Sequence, residues 1–183
     1  MQKKKIKMDL SWIIKVSIIG FVISLFFSFI SEISIPLVNP FIGILIVLTF
    51  IFLGVIFDMI GVAITSSTLA PFNSMNSKRV RGADVAIKLL QNTEKVSSFC
   101  NDVIGDICGI ISGSGSVIIA ISIANSFSYN VFIITLISTS IVAALTIGGK
   151  AIGKSLAVNN SNAIVYDFAL ILSFLYKIND KKV

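Results

Sequence analysis

Residues 41–64 read FIGILIVLTFIFLGVIFDMIGVAI, an apolar run interrupted by one acid, Asp58. At about 1.5 Å per residue, a helix of that length crosses the roughly 30 Å of hydrocarbon in a bilayer. Where no water reaches, a backbone must close its own hydrogen bonds, so the run reads as a membrane helix. Three further runs share its character. Trp12–Ile30 is broken only by Lys15, about Ser97–Ile123 contains Asp102 and Asp106, and Val131–Gly149 has no charge. The composition agrees with this reading. The 183 residues are 55% apolar and 13% charged, with a mean hydropathy of +0.96, whereas a soluble domain carries about 25% charged residues. The expected fold is an all-α integral membrane protein, a single domain over residues 1–183 with about four transmembrane helices.

The net charge of +6 takes its meaning from where the charges lie. Lys3, Lys4, Lys5 and Lys7 precede the first run, and Lys78, Arg79, Arg81, Lys88 and Lys95 lie between the second and third. Lys150, Lys154, Lys177, Lys181 and Lys182 follow the fourth. The alternate connections, Ser31–Pro40 and Asn125–Asn130, carry no Lys or Arg. Retention of basic loops in the cytoplasm predicts both termini inside. The surplus thus serves topology and anionic headgroups, and no aromatic–basic platform suggests nucleic acid. The first run exceeds the 7–15 residues of a signal-peptide core and has no small-x-small cleavage site, so it reads as a retained helix.

Two segments outside the spans also look helical. In the connector 65–96, Ala83, Ala86, Ile87 and Leu90 recur at helical spacing opposite Asp84, Lys88 and Gln91. Asn92 or Thr93 is placed to cap the helix that leads into span three. Asn159–Lys177 is a further apolar helix opened by Asn160 and Ser161. Crossing the membrane would strand Lys177, Lys181 and Lys182 outside, so a cytoplasmic interfacial helix fits better within the tail 150–183.

The residues that need explaining are the acids inside the spans, each costing about 2.5–3.5 kcal/mol at mid-membrane on insertion scales. Counted along their helices, Asp58, Asp102, Asp106 and Lys150 fall in one layer in the inner half of the bilayer. Such a layer reads as a cytoplasm-facing ion or substrate site, or as a neutral cluster that pins helices together. Asp58, Asp102 and Asp106 offer hard oxygen ligands, and Asn101, Ser97 and Ser98 lie near enough to add neutral ones. Gly105, Gly109 and Gly113 recur every four residues and predict close helix packing, within the chain or across a dimer. Gly54 and Gly61 flank Asp58, and Gly148, Gly149 and Gly153 flank Lys150. Glycine at such points permits broken helices whose free carbonyls could hold a cation.

Enzyme chemistry finds little support. Histidine is absent, which removes imidazole metal sites and His-dependent serine or cysteine nucleophiles, so Gly113-Ser114-Gly115 reads as no protease. Gly105-Asp106 and Tyr166-Asp167 stand in the wrong order, and incompletely, for an intramembrane aspartyl protease. Cys100 and Cys108 lie in one apolar stretch and imply no disulfide framework.

From about Phe57 to Leu172 the chain resembles the transmembrane domain of the CNNM/CorC magnesium-transport family, CorB members included. Phe57-Asp58-Met59-Ile60-Gly61-Val62-Ala63 is similar to the family's Phe-Ser-x-Ser-Glu-type break. Lys78-Arg79-Val80-Arg81-Gly82-Ala83 and Ala86-Ile87-Lys88-Leu89-Leu90 match its basic connector and following helix. Asp102, Asp106, Gly109, Ser112 and Gly113 suit its polar, glycine-rich second core helix. Gly149-Lys150-Ala151-Ile152-Gly153-Lys154-Ser155-Leu156-Ala157 looks like its Gly-Glu-x-x-Pro-Lys-Thr-Leu-Ala. The resemblance implies a three-helix core with broken helices, to which span one is an addition, and handling of a divalent cation, Mg²⁺ above all. It also implies a homodimer in the bacterial inner membrane.

Three departures qualify this. The family's usual pair of CBS domains, which bind adenine nucleotide, finds no room before the chain ends. Asp58 takes the place of the first serine, and Lys150 takes that of the motif glutamate, reversing the charge where a cation would sit. Lys150 could pair with Asp58, Asp102 or Asp106 and fill the site. The expectation is therefore a CorB/CorC-like ion transporter with no enzymatic activity and no resident cofactor. Its alternative is a non-transporting scaffold or regulatory subunit, closed by Lys150, that acts on a partner such as a CBS-containing relative.

Overall fold

The computed structural model describes residues 10–35 and 38–180, with the side chains of 175–180 left aside. Lys3 to Lys7, residues 36 and 37 of one expected outer connection, and Lys181 and Lys182 lie outside the described residues. All regular structure among the described residues is helical. The elements are α1 (Leu10–Ser34), α2 (Pro40–Ser66), α3 (Leu69–Ser77), α4 (Ala83–Gln91) and α5 (Thr93–Ser98). A π-helical segment (Phe99–Gly105) follows, and then α6 (Asp106–Phe127), α7 (Val131–Asn159) and α8 (Ser161–Asp180).

Four stretches are long and apolar enough to cross a membrane: Leu10–Ser34, Pro40–Ser66, Thr93–Phe127 and Val131–Asn159. Their outward faces hold the large apolar side chains, among them Phe21 and Phe29 on α1, Phe41 and Phe52 on α2, and Phe132 and Ile147 on α7. Water would make such a surface prohibitive, whereas hydrocarbon welcomes it. Local chemistry fixes the starts of two spans. Asn39 Oδ1 accepts from Phe41 N at 3.0 Å with Pro40 at the first helical position. Asn130 Oδ1 accepts from Phe132 N and Ile133 N at 3.0 and 3.4 Å.

The central helix is α2, which touches α5, the π segment, α6, α7 and α8. Its Asp58-bearing end joins the main core, where Ile60, Ala63 and Ile64 pack with Phe72, Ala86, Leu90, Cys100, Ala157, Val165 and Ala169. Many of these are alanines, so the helices approach closely. A smaller cluster of Ile35, Val47, Ile51 and Ile119 closes the opposite end. Helix α1 lies chiefly against α6, and its start meets α5 where Lys95 Nζ stands 5.2 Å from the Trp12 ring centre. The connector 67–92 and the α7–α8 junction share one end, since Ser161 Oγ donates to Ser66 O at 3.5 Å.

The connector helix forms on the expected face, with Ala83, Ala86 and Leu90 buried and Asp84, Lys88 and Gln91 exposed. Gly82 precedes it at φ +83°, and a Cβ there would also meet Leu170 of α8 at 3.1 Å. The tail helix α8 packs chiefly on α4 and on the central helix α2. Arg81 stands 5.7 Å from the Phe174 ring centre.

Four expectations need correction. The helix of span four does not stop at Gly149: α7 continues to Asn159, so Lys150 and Lys154 stand on that helix and not in a separate segment after it. The breaks expected around Asp58 and Gly148-Gly149 are absent, because α2 and α7 are α-helical throughout. The irregular backbone is instead the π segment, which keeps its polar groups bonded by a wider turn. Asn92 and Thr93 do not cap α5: their side chains donate back to Lys88 O and Leu90 O at 3.0 and 2.7 Å, as short polar side chains often do.

Candidate functional site in the polar layer

Helix packing aligns the charges. A Cβ on Gly149 would lie 2.8 Å from Val55 Cγ2, and one on Gly153 would lie 3.3 Å from Val55 Cγ1. These two glycines form a groove on α7 that takes Val55 of α2. Lys150 and Lys154, each one residue further on, are thereby held beside α2 and α6.

Asp58 is buried, its side chain 7% exposed, and Lys154 Nζ approaches its Oδ2 to 3.6 Å from a side chain that is 53% exposed. That oxygen receives no hydrogen bond. At such a separation and an effective dielectric near 20, the gross attraction is about 4 kcal/mol, before desolvation is counted against it. Lys150 Nζ contacts Asp106 Oδ1 at 3.4 Å, with the Asp106 side chain 65% exposed. Asp102, also exposed, accepts a short hydrogen bond from Ser98 Oγ one turn before it. Both acids line a cavity of about 560 Å³ between α1 and the π/α6 helix, with Val16, Ser17, Gly20 and Ser24 on the α1 side.

The three aspartates are thus not one cluster. Among the described residues no three acidic or cysteine side chains come together to hold a metal. Asp102 and Asp106 face the cavity while Asp58, on α2, is enclosed. Asn101 points elsewhere again, pressed on Gly61 of α2, which has no side chain to oppose it. Its Oδ1 is buried and receives no hydrogen bond. Lys150 pairs with Asp106, one of its three expected partners. The pairing of Lys154 with Asp58 went unanticipated, although its signal was present in the one-turn spacing of the two lysines.

The three glycines at four-residue spacing differ in their surroundings. Gly105 is buried, and a Cβ there would lie 3.4 Å from Cys100 O and 3.7 Å from both Gly54 O and Lys150 Nζ. Gly109 and Gly113 have nothing within 4 Å there, because they turn away from α2. The close contacts of α6 are made elsewhere: Cys108 against Gly54, and Gly115 against Ile35 and Val47. Cys100 and Cys108 are both buried and free.

No family model, curated protein or solved structure matches this chain.

Proposed function

We propose that this chain is a multi-pass membrane transporter or permease for a divalent cation, of CorB/CorC type, with both termini in the cytoplasm of a bacterial inner membrane. The observation that carries the reading is the pair Asp102 and Asp106, two exposed carboxylates one turn apart on the wall of the 560 Å³ cavity. Acids in a membrane-spanning stretch are functional by default. Mg²⁺ keeps several waters and takes one or two carboxylates, so this pair suffices in number without Asp58. Magnesium is also the ion that the likeness to CNNM/CorC proteins implies. Ser98, already bonded to Asp102, adds a neutral oxygen.

A second reading is favoured by one contact, that of Lys150 with Asp106. An ammonium there neutralises one of the two acids and competes with any cation. The protein would then be a closed scaffold or regulatory subunit. The open faces of Gly109 and Gly113 would be free to meet a second copy or a CBS-containing relative.

Magnesium uptake into proteoliposomes, followed with an internal dye, separates the two. A permease gives uptake above empty vesicles that Asp106→Asn abolishes. A closed subunit gives none in the wild type and gains Mg²⁺ binding by calorimetry in Lys150→Glu. Equal, negligible binding by wild type, Lys150→Gln and Lys150→Glu would remove both readings.

A further inference from the structure

A second cavity, of about 340 Å³, runs as a groove between α1 and α2 along the π/α6 helix. Phe27 of α1, Phe50 and Phe57 of α2, and Phe99, Ile104 and Ile111 of the third span line it, and apart from Cys108 every lining residue is aliphatic or aromatic. The rings of Phe27 and Phe50 meet edge to face at 6.4 Å, which ties α1 to α2 at the end remote from Phe99. Water finds no hydrogen-bonding partner on such walls, and walls without facing atoms forfeit dispersion contact. Phe99 and Ile111 lie twelve residues apart, about 18 Å at the helical rise, close to half of the roughly 30 Å of hydrocarbon. The groove therefore has the length of one leaflet.

A cation marks its Phe99 end. Lys95 precedes Phe99 by one helical turn, on the same face. Its ammonium lies 5.2 Å from the ring centre of Trp12, and among the described residues no carboxylate pairs with it. Trp12 stands at the start of α1, where aromatic rings settle at headgroup level.

We propose that this groove holds one acyl chain of an anionic phospholipid from the leaflet on the Lys95 side, with the lipid phosphate on the Lys95 ammonium. The apolar walls take the chain, and the cation beside an interfacial tryptophan takes the head. A zwitterionic headgroup brings its own cation next to the phosphate, whereas one of net negative charge does not, so a single lysine favours the anionic lipid about fivefold. The chain fills the seam beside α1, which otherwise meets the bundle chiefly through α6. None of the aspartates lines the groove, so the site stands apart from the magnesium reading.

The test is native mass spectrometry of the purified full chain in detergent, titrated with phosphatidylglycerol or with phosphatidylcholine of the same chains. The expected result is one tightly retained lipid per chain, with phosphatidylglycerol preferred about fivefold. Lys95→Gln should erase the preference, Lys88→Gln on α4 should keep it, and Ile104→Trp, which fills the groove, should remove the tight lipid of either kind. A tight lipid that survives Ile104→Trp overturns the proposal, as does an unchanged preference in Lys95→Gln or equal retention of both lipids by the wild type. A dimer that forms in place of lipid retention, and that Ile104→Trp disrupts, would assign the groove to a second copy and overturn it too. Should Ile104→Trp fail to fold, phosphatidylglycerol with a photoreactive diazirine in its chain decides. Crosslinks must then fall within residues 99–111, and crosslinks chiefly to the outward face of α7, at Ile137 or Ile147, refute the site. Retained lipid without magnesium uptake would leave this site standing and remove the permease.

Discussion

Replacing Gly54 by alanine probes the contact on which the polar layer depends. The new methyl group would lie 3.0 Å from Cys108 Cβ and 3.4 Å from the carbonyl oxygen of Gly105. Neither atom is the end of a flexible side chain, so relief requires α2 and the π/α6 helix to separate. Adding a methyl to a tight contact costs about 1–3 kcal/mol. Glycine to alanine also favours a helix by about 0.8–1.0 kcal/mol, which would blur the measurement taken alone. Gly109→Ala supplies the control, because its methyl group would meet nothing within 4 Å while gaining the same propensity. The propensities cancel in the comparison, and the difference between the variants is the packing cost, about 1–3 kcal/mol. At about 2–4 °C per kcal/mol for a domain of this length, Gly54→Ala should unfold roughly 2–12 °C below Gly109→Ala in detergent. Equal midpoints, or a lower one for Gly109→Ala, would refute the claim that α6 meets α2 through Gly54 and Gly105.

Three more outcomes are expected. Ser128→Cys should react with an impermeant thiol reagent added outside cells and Lys78→Cys only after the membrane is opened; the reverse pattern would invert the topology. Asn130→Ala removes both acceptor bonds at the start of α7 and should lower stability by about 1 kcal/mol, whereas Asn130→Asp should retain most of it, as denaturant unfolding would show. Measured in the same way, Lys154→Ala should cost about 1–3 kcal/mol by leaving the buried Asp58 carboxylate unpaired, and Asp58→Asn should cost less because a half-exposed lysine returns to water. The opposite order would mean that Asp58 is not enclosed.

The spans were legible because hydrocarbon imposes one requirement on every residue in a run, so length and composition suffice. The face of α4 was legible for a related reason: Ala83, Ala86 and Leu90 repeat at the helical period. Gly105, Gly109 and Gly113 mark the limit of such patterns. Their spacing defines a smooth stripe on α6, but a stripe does not say which neighbour lies against it. Cys108 and Gly115 face α2 and Ile35 instead, and nothing in the spacing of α6 alone distinguishes the two faces. The site was legible residue by residue and not as an arrangement. Depth along a helix places Asp58, Asp102 and Asp106 in one layer, but direction around the helix axis separates them. The π turn that carries Asp102 has no simple composition signal in FCNDVIG.

The two lysines on α7 show how one misplaced boundary hides a pairing. Reading the helix end from the end of the apolar run assumes that α7 stops where hydrocarbon stops. Its 29 residues instead span about 43 Å at the α-helical rise, beyond the roughly 30 Å that hydrocarbon requires. A lysine near a helix end can extend its apolar stem and keep its ammonium wet, so Lys150 and Lys154 impose no stop on the helix. Once both are helical, their four-residue spacing puts them on one face, one turn apart. The acids they meet come from different helices, Asp106 from α6 and Asp58 from α2. What joins these four charges is Val55 seated on Gly149 and Gly153: the glycines set the distance, and the lysines beside them inherit it.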